Sequence, residues 1–203
     1  MKISVICGSH RAQAESLKVA RHIERELGNG ICSQTALISL AENPLPLWDQ
    51  GVWDDDPKWP PLLDPIRSEL ASSDAFVVVT PEWHGQVPAG LKNFFLLFGK
   101  NELGHKPALI VAVSSTDGGA YPVAELRMSS YKNSRICYIP EHIIVRHVER
   151  VLNDDPSRND ARADEYFRSR IRWALMILKQ YGIALRQVRS SGATLTDRFR
   201  SGM

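Results

Sequence analysis

The feature that most constrains this chain is an alternation of two kinds of apolar pattern. Ile3 to Cys7, Ala75 to Thr80 and Ala108 to Ser114 are short runs, almost wholly apolar and rich in β-branched residues. They lack the in/out alternation of a half-solvated strand, so they are expected as parallel strands covered on both faces. Thr35 to Leu40 and Ile143 to Val148 are weaker runs of the same kind. Between the runs, apolar residues recur at helical spacing. The first stripe is Leu17, Ala20, Ile23 and Leu27, closed by Gly28-Asn29-Gly30 as a stop signal. The others are Leu62 to Leu70 behind two prolines, Leu91-Phe94-Phe95-Phe98 after Pro88, Ala120 to Met128, and Phe167-Ile171-Ala174-Leu175-Leu178.

Strand and helix alternate throughout, which predicts an α/β three-layer sandwich. The natural arrangement is a five-stranded parallel doubly wound sheet of order 2-1-3-4-5, with ligands outside the carboxyl ends of its central strands. A (β/α)8 barrel needs more units than 203 residues supply. One domain is expected over residues 1–181, followed by a basic C-terminal arm over 182–203. In that arm Arg186, Arg189, Arg198 and Arg200 stand against one acid, Asp197. Residues 43–61 carry Pro44, Pro46, Pro57, Pro60 and Pro61 with Trp48, Trp53 and Trp59, and read as a loop.

Composition narrows the function classes. With 43% hydrophobic and 24% charged residues the chain is an ordinary globular one. A net charge of +2 argues against both a strongly basic nucleic-acid binder and a highly acidic electron carrier. No apolar run reaches the ~18 residues that cross a bilayer, and the N-terminus reaches Gly8 and Ser9 too early for a signal peptide. Cys7, Cys32 and Cys137 are odd in number and widely spaced, as expected of reduced thiols in a cytoplasmic protein without a membrane anchor.

The chemistry is expected at three loops. Strand one ends at Cys7 and runs through Gly8-Ser9-His10-Arg11 to Ser16 before the first helical stripe. A strand, a small-residue turn and a helix start make an anion site from backbone N–H groups and the positive end of the dipole. Ser9 and Ser16 add hydroxyls, and Arg11 adds charge. Neither GxGxxG nor GxxxxGK[ST] is present, so a dinucleotide grip and a Walker loop are unsupported. Cys7 and Arg11 are too close in sequence for a thiol-phosphatase loop, and Cys7 reads as a buried strand-end residue. The second loop, Thr80 to Asn93, is stiffened by Pro81, Gly85 and Pro88 and carries Trp83 at its tip. The third, Ser114 to Ala120, is small and hydroxyl-rich. Together they suit a mononucleotide bearing a planar ring. No HExxH, CxxC or GxSxG pattern exists. His142 and His147 are expected on opposite faces of one strand, so no metal site is read.

These loops carry a resemblance. Gly8-Ser9-His10-Arg11 through Ser16 is similar to the GSxR motif of the NADPH-dependent FMN reductase family, in the flavodoxin-like superfamily. Thr80-Pro81-Glu82-Trp83-His84-Gly85 through Leu91-Lys92-Asn93 resembles its second motif, [ST]PEYNGSxPxxLKN. Gly118-Gly119 leading to Leu126-Arg127 is similar to its third. The resemblance covers roughly residues 1–180. It implies that Ser9, Arg11 and Ser16 hold the FMN phosphate. Pro81, Glu82, Trp83, His84 and Gly85 would line the isoalloxazine, and Ser114, Ser115, Gly118 and Gly119 its other edge. Ala14 stands where the family commonly has a serine, and Trp83-His84 where it has Tyr-Asn.

The function so implied is an FMN-dependent oxidoreductase. It takes hydride from NADPH or NADH and passes electrons to a small-molecule acceptor: a quinone, azo compound, metal ion or flavin. The flavin carries that chemistry, so no catalytic residue is named. A flavodoxin-like electron-transfer module and a flavin-free regulatory or binding protein are the alternatives. The run Phe94 to Phe98 circles its helix with apolar groups, which predicts a homodimer or homotetramer.

Overall fold

Five parallel strands form one sheet in the order β2-β1-β3-β4-β5. They are β1 (Lys2–Cys7), β2 (Gln34–Ser39), β3 (Ala75–Pro81), β4 (Pro107–Val113) and β5 (Cys137–Val145). The structure, a computed structural model, describes residues 1–196. β3 and β4 are buried at every position, which is why their sequences are apolar without alternation. Neighbouring residues nevertheless serve different layers, because successive side chains leave opposite faces of the sheet. Val77 and Val79 join one core cluster while Phe76 and Val78 join the other.

Helices α1 (Glu15–Glu26) and α6 (Ala161–Ser190) cover the first face. Helices α2 (Pro60–Ser72), α3 (Ala89–Leu97), α4 (Lys100–Leu103) and α5 (Ala120–Ser129) cover the second. Phe76, Phe94 and Phe98 are wholly buried in that second layer. Each such side chain contributes roughly 1.5–3 kcal/mol relative to an exposed one.

Four details differ from the pattern read in the sequence. β5 begins at Cys137 and ends at Val145, not at Val148; its first half is partly exposed at the sheet edge and interrupted by Pro140 and Glu141, so it shows no apolar run. His147 consequently lies beyond the strand in a left-handed conformation, φ 48°, and does not oppose His142 across it. The prolines at 60 and 61 form the first turn of α2, where a missing N–H costs nothing. Finally, α6 continues through the buried Gly182, which packs against Met1 and Ala75, to Ser190.

Part of the expected arm is therefore helix. Arg186 is bound to Asp74 and Arg189 to the carbonyl of His105, while Asp197, Arg198 and Arg200 lie outside the described residues. Of the loop tryptophans, Trp59 is buried, Trp48 is half-buried against the same core, and Trp53 is exposed. Asn93 fastens this segment by accepting from Trp48 N and donating to Pro46 O.

Candidate functional site

The carboxyl ends of β1, β3 and β4 bring the three predicted loops to one edge of the sheet. The first loop leaves β1 at Cys7, whose thiol is wholly buried and pushed up to about 11 by desolvation. A protonated, enclosed thiol suits the strand-end reading. Gly8 N donates to Val79 O at 2.8 Å, fixing the turn on β3. Ser9 and Ser16 are both buried. The α1 N-cap is Ala14, which offers no side-chain acceptor. Leu17 and Lys18 N–H groups return to Ala14 O, leaving those of Glu15 and Ser16 without a partner in the chain. An apolar cap is unfavourable for an isolated helix, and an anionic ligand is what satisfies such a terminus.

Charge is supplied by Arg11, which is exposed and makes no ion pair. Lys18 is already committed, donating to Val148 O at 2.7 Å and Asn153 Oδ1 at 3.0 Å. The Ser16 hydroxyl has no partner within the chain. These groups, with Ser9, are the donor set an organic phosphate requires. Arg11 also lines one end of a cleft of about 500 Å³ that runs past Ala14 and Glu15 along α1 to Arg21 and Arg25.

The second loop is a two-residue hairpin. Trp83 and Gln86 exchange backbone hydrogen bonds at 3.1 and 2.9 Å, and the residues between, His84 and Gly85, both have positive φ (50° and 72°). That is the type I′ geometry, for which Asn-Gly is the favoured pair. Gly85 meets the requirement without cost, whereas His84 is held in a conformation that L side chains rarely adopt. His10 packs edge-on to Trp83 with ring centroids 4.6 Å apart. The two rings thus couple the first loop to the second, and His10 Nδ1 is buried there without a hydrogen-bond partner.

The third loop is held from two sides. Glu82 accepts from Gly119 N–H, so this residue ties the second loop to the third. Gly119 has φ 105°, and a Cβ there would lie 2.3 Å from Ile144 Cγ2; only glycine fits. From beyond β5, Arg146 donates to Gly118 O at 3.1 Å and His147 meets Asp117 at 3.0 Å. Glu149, hydrogen-bonded to Ser115, is held below the usual carboxylate range. Ser114 N–H bonds Val145 O at 2.9 Å.

All twelve residues named from sequence therefore stand on these three adjacent loops. Ser9, Arg11 and Ser16 lie between the end of β1 and the first turn of α1; Pro81 ends β3 and leads through Glu82 into the hairpin with Trp83, His84 and Gly85; Ser114, Ser115, Gly118 and Gly119 form the third loop. His10, Arg146, His147 and Glu149 were not read from sequence. Their only local signals are the positive φ at His147 and the unpaired His10 nitrogen, both three-dimensional.

Residues 1–149 match the NADPH-dependent FMN reductase family. The chain belongs to that family. Among curated proteins it is similar to a quinone reductase of Pseudomonas putida, 33% identical over 116 residues, covering 55% of this chain and 59% of that one. A 2-hydroxy-1,4-benzoquinone reductase from a Burkholderia species is 26% identical over 166 residues, covering 79% and 83%. The match thus spans about three fifths of the length of the first relative. Among solved structures, a flavoenzyme NAD(P)H:(acceptor) oxidoreductase from Paracoccus denitrificans superposes with a TM-score of 0.68 at 20% identity, covering 90% of this chain and 97% of that one. That likeness establishes the flavodoxin-like fold.

Proposed function

We propose that this chain binds FMN and uses NADPH or NADH to reduce a small acceptor, a quinone, azo compound, metal ion or free flavin. The supporting observation is the uncapped α1 terminus, where unpaired N–H groups, the free Ser16 hydroxyl and the unpaired Arg11 stand beside a rigid aromatic hairpin. FMN, when bound, accepts hydride and passes electrons on. The chain's residues bind and orient it. Ser9, Arg11, Ser16 and the α1 backbone would hold the phosphate, with Pro81 to Gly85 and Ser114 to Gly119 on the ring. Glu82 fixes the relative position of the two ring loops through Gly119. Trp83 is braced by His10 and shapes the wall against which a flat substrate stacks.

The names of the relatives support quinone and azo acceptors, one being an NADPH azoreductase from a Bacillus species. The test is the visible absorption of the purified protein. A bound flavin band that bleaches with NADPH or NADH under anaerobic conditions and returns with a quinone is expected. A band that neither nucleotide bleaches would instead mark an electron-transfer module, and its absence after reconstitution with FMN a flavin-free protein.

A cytoplasmic setting is part of this reading, supported by three unpaired cysteines. Among the described residues no helix is long and apolar enough to cross a membrane. Self-association through α3 is the second part. Phe94 and Leu97 are buried, but Leu96 is 65% exposed. It borders a largely apolar cleft of about 470 Å³ shared with Val87, Phe95 and Leu126. Met128 on neighbouring α5 is also exposed. Leu96→Glu should lower the mass measured by sedimentation, and an unchanged mass would remove α3 from the interface.

A further inference from the structure

The long helix α6 carries two seams. Ile171, Ala174, Leu175, Leu178 and Gly182 are buried against the sheet. On the opposite side stand Tyr166, Ser169, Trp173, Met176, Gln180 and Ile183, alternately three and four residues apart. That is the spacing of a helix–helix contact. The apolar members face solvent: Tyr166 is 60% exposed, Trp173 50%, Met176 54% and Ile183 49%. Between Tyr166 and Ile183 no position on this seam is charged, the nearest being Arg162 one step before it, although the outward face is where a surface helix normally places its charges. Exposed apolar side chains gathered along one uncharged stretch of a helix in this way mark a contact surface.

The order of residues along the seam identifies the occupant. Read from either end, it runs apolar, polar, apolar, apolar, polar, apolar. Two copies of α6 laid antiparallel about an axis between Trp173 and Met176 therefore match at every level. Tyr166 meets the partner's Ile183, Ser169 meets the partner's Gln180, and Trp173 meets the partner's Met176. A two-fold contact requires this self-complementarity, and the thioether against an indole is a favourable pairing. A lipid surface has no such requirement.

The flanking charges agree. Arg170 is bound to Glu141 at 2.5 Å and lies over the Trp173 ring, 4.7 Å from its centroid. Arg172 is bound to Glu26 at 3.0 Å, and Arg186 to Asp74 at 2.5 Å. These guanidiniums are neutralised within their own chain, and Arg162, on the same face, comes level with the partner's Gln187, which is uncharged. Lys179 comes opposite the partner's Arg172, whose charge Glu26 offsets. We propose that the outer seam of α6 pairs antiparallel with α6 of a second copy of this chain. The contact is separate from α3 and does not depend on the flavin reading.

The test uses the full chain carrying Ser169→Cys and Gln180→Cys together. Along one helix these positions are about 16 Å apart, beyond the ~7 Å between Cα atoms that a disulfide spans, so no bridge can close within a chain. Mild oxidation should give a reducible covalent dimer from the double variant. Neither single variant, nor the parent with Cys7, Cys32 and Cys137, should give one. Met176→Glu, at an exposed position, should retain the helical circular dichroism and raise the concentration for half-association at least tenfold. No covalent dimer from the double variant, equal crosslinking by the singles, or an unchanged Met176→Glu mass would each overturn the pairing.

Discussion

Arg11→Ala isolates the anion site from the rest of the protein. The side chain is exposed and makes no ion pair or hydrogen bond of its own within the chain; the nearby contact, at 3.4 Å to Ser9, comes from its backbone N–H and survives the change. Folding stability should therefore move by no more than about 0.5 kcal/mol, as for other surface substitutions. Against a bound phosphate the guanidinium forms a charge-assisted hydrogen bond contributing roughly 1.5–3 kcal/mol. At about 1.4 kcal/mol per decade this is a ten- to hundredfold loss of FMN affinity. Arg11→Lys should fall between, because an ammonium keeps the charge but loses the planar fork. Fluorescence titration of the apoprotein with FMN and with riboflavin provides the assay and its control. Riboflavin lacks the phosphate, so its affinity should be equal in wild type and variant. An equal loss for both flavins would place Arg11 against the ring and refute the phosphate assignment. No loss for either would remove Arg11 from the site.

Three further outcomes follow from particular contacts. Gly119→Ala combines a positive φ with a Cβ 2.3 Å from Ile144 Cγ2, and should cost roughly 2–5 kcal/mol in guanidinium denaturation while weakening FMN binding through the shifted third loop. His84→Asn replaces a strained left-handed residue with the one its type I′ turn favours, and should stabilise the fold by up to about 1 kcal/mol. Burial pushes Lys106 down to about 8 from 10.5. The folded chain then binds fewer protons than the unfolded one above that pH, so stability rises with pH by about 1.4 kcal/mol per unit. The rise ends by about pH 9, where the thiols of Cys7, raised to about 11, and of Cys32 and Cys137, also raised by burial, favour the unfolded chain. Lys106→Met should abolish the rise; its persistence in denaturation curves on either side of the window would refute the assignment.

The sheet was legible because its central strands are buried on both faces, which compels continuous β-branched runs in β3 and β4. β5 was displaced in the reading for the converse reason: its edge is partly solvated, and Pro140 and Glu141 break the pattern. The end of α6 was hidden by Gly182, which reads as a breaker but serves to pack the helix on Met1 and Ala75. At the site, the residues on motif positions were legible because strand end, turn and helix start are consecutive in the chain. The clamp from Arg146, His147 and Glu149 was not, because it depends on where the chain returns after β5.

That clamp separates the site into two physically different halves. Around the ring loops the principal polar groups are met from within the chain: Gly119 N–H by Glu82, Gly118 O by Arg146, Ser115 by Glu149, and Trp83 by Gln86. Such a wall is ordered before any ligand arrives, so the entropy of ordering it falls on folding and not on binding. At the α1 terminus the opposite holds, since the first N–H groups, the Ser16 hydroxyl and Arg11 find no partner in the chain. Their satisfaction is deferred to the ligand, and an anion there gains the interactions that Ala14 does not supply. For the proposed FMN, affinity would therefore be concentrated at the phosphate end and position set at the ring end. A ligand held at one end by charge and stacked at the other on a preformed wall keeps its ring in one place while successive flat substrates come and go, which is what alternating reduction and reoxidation at one site requires.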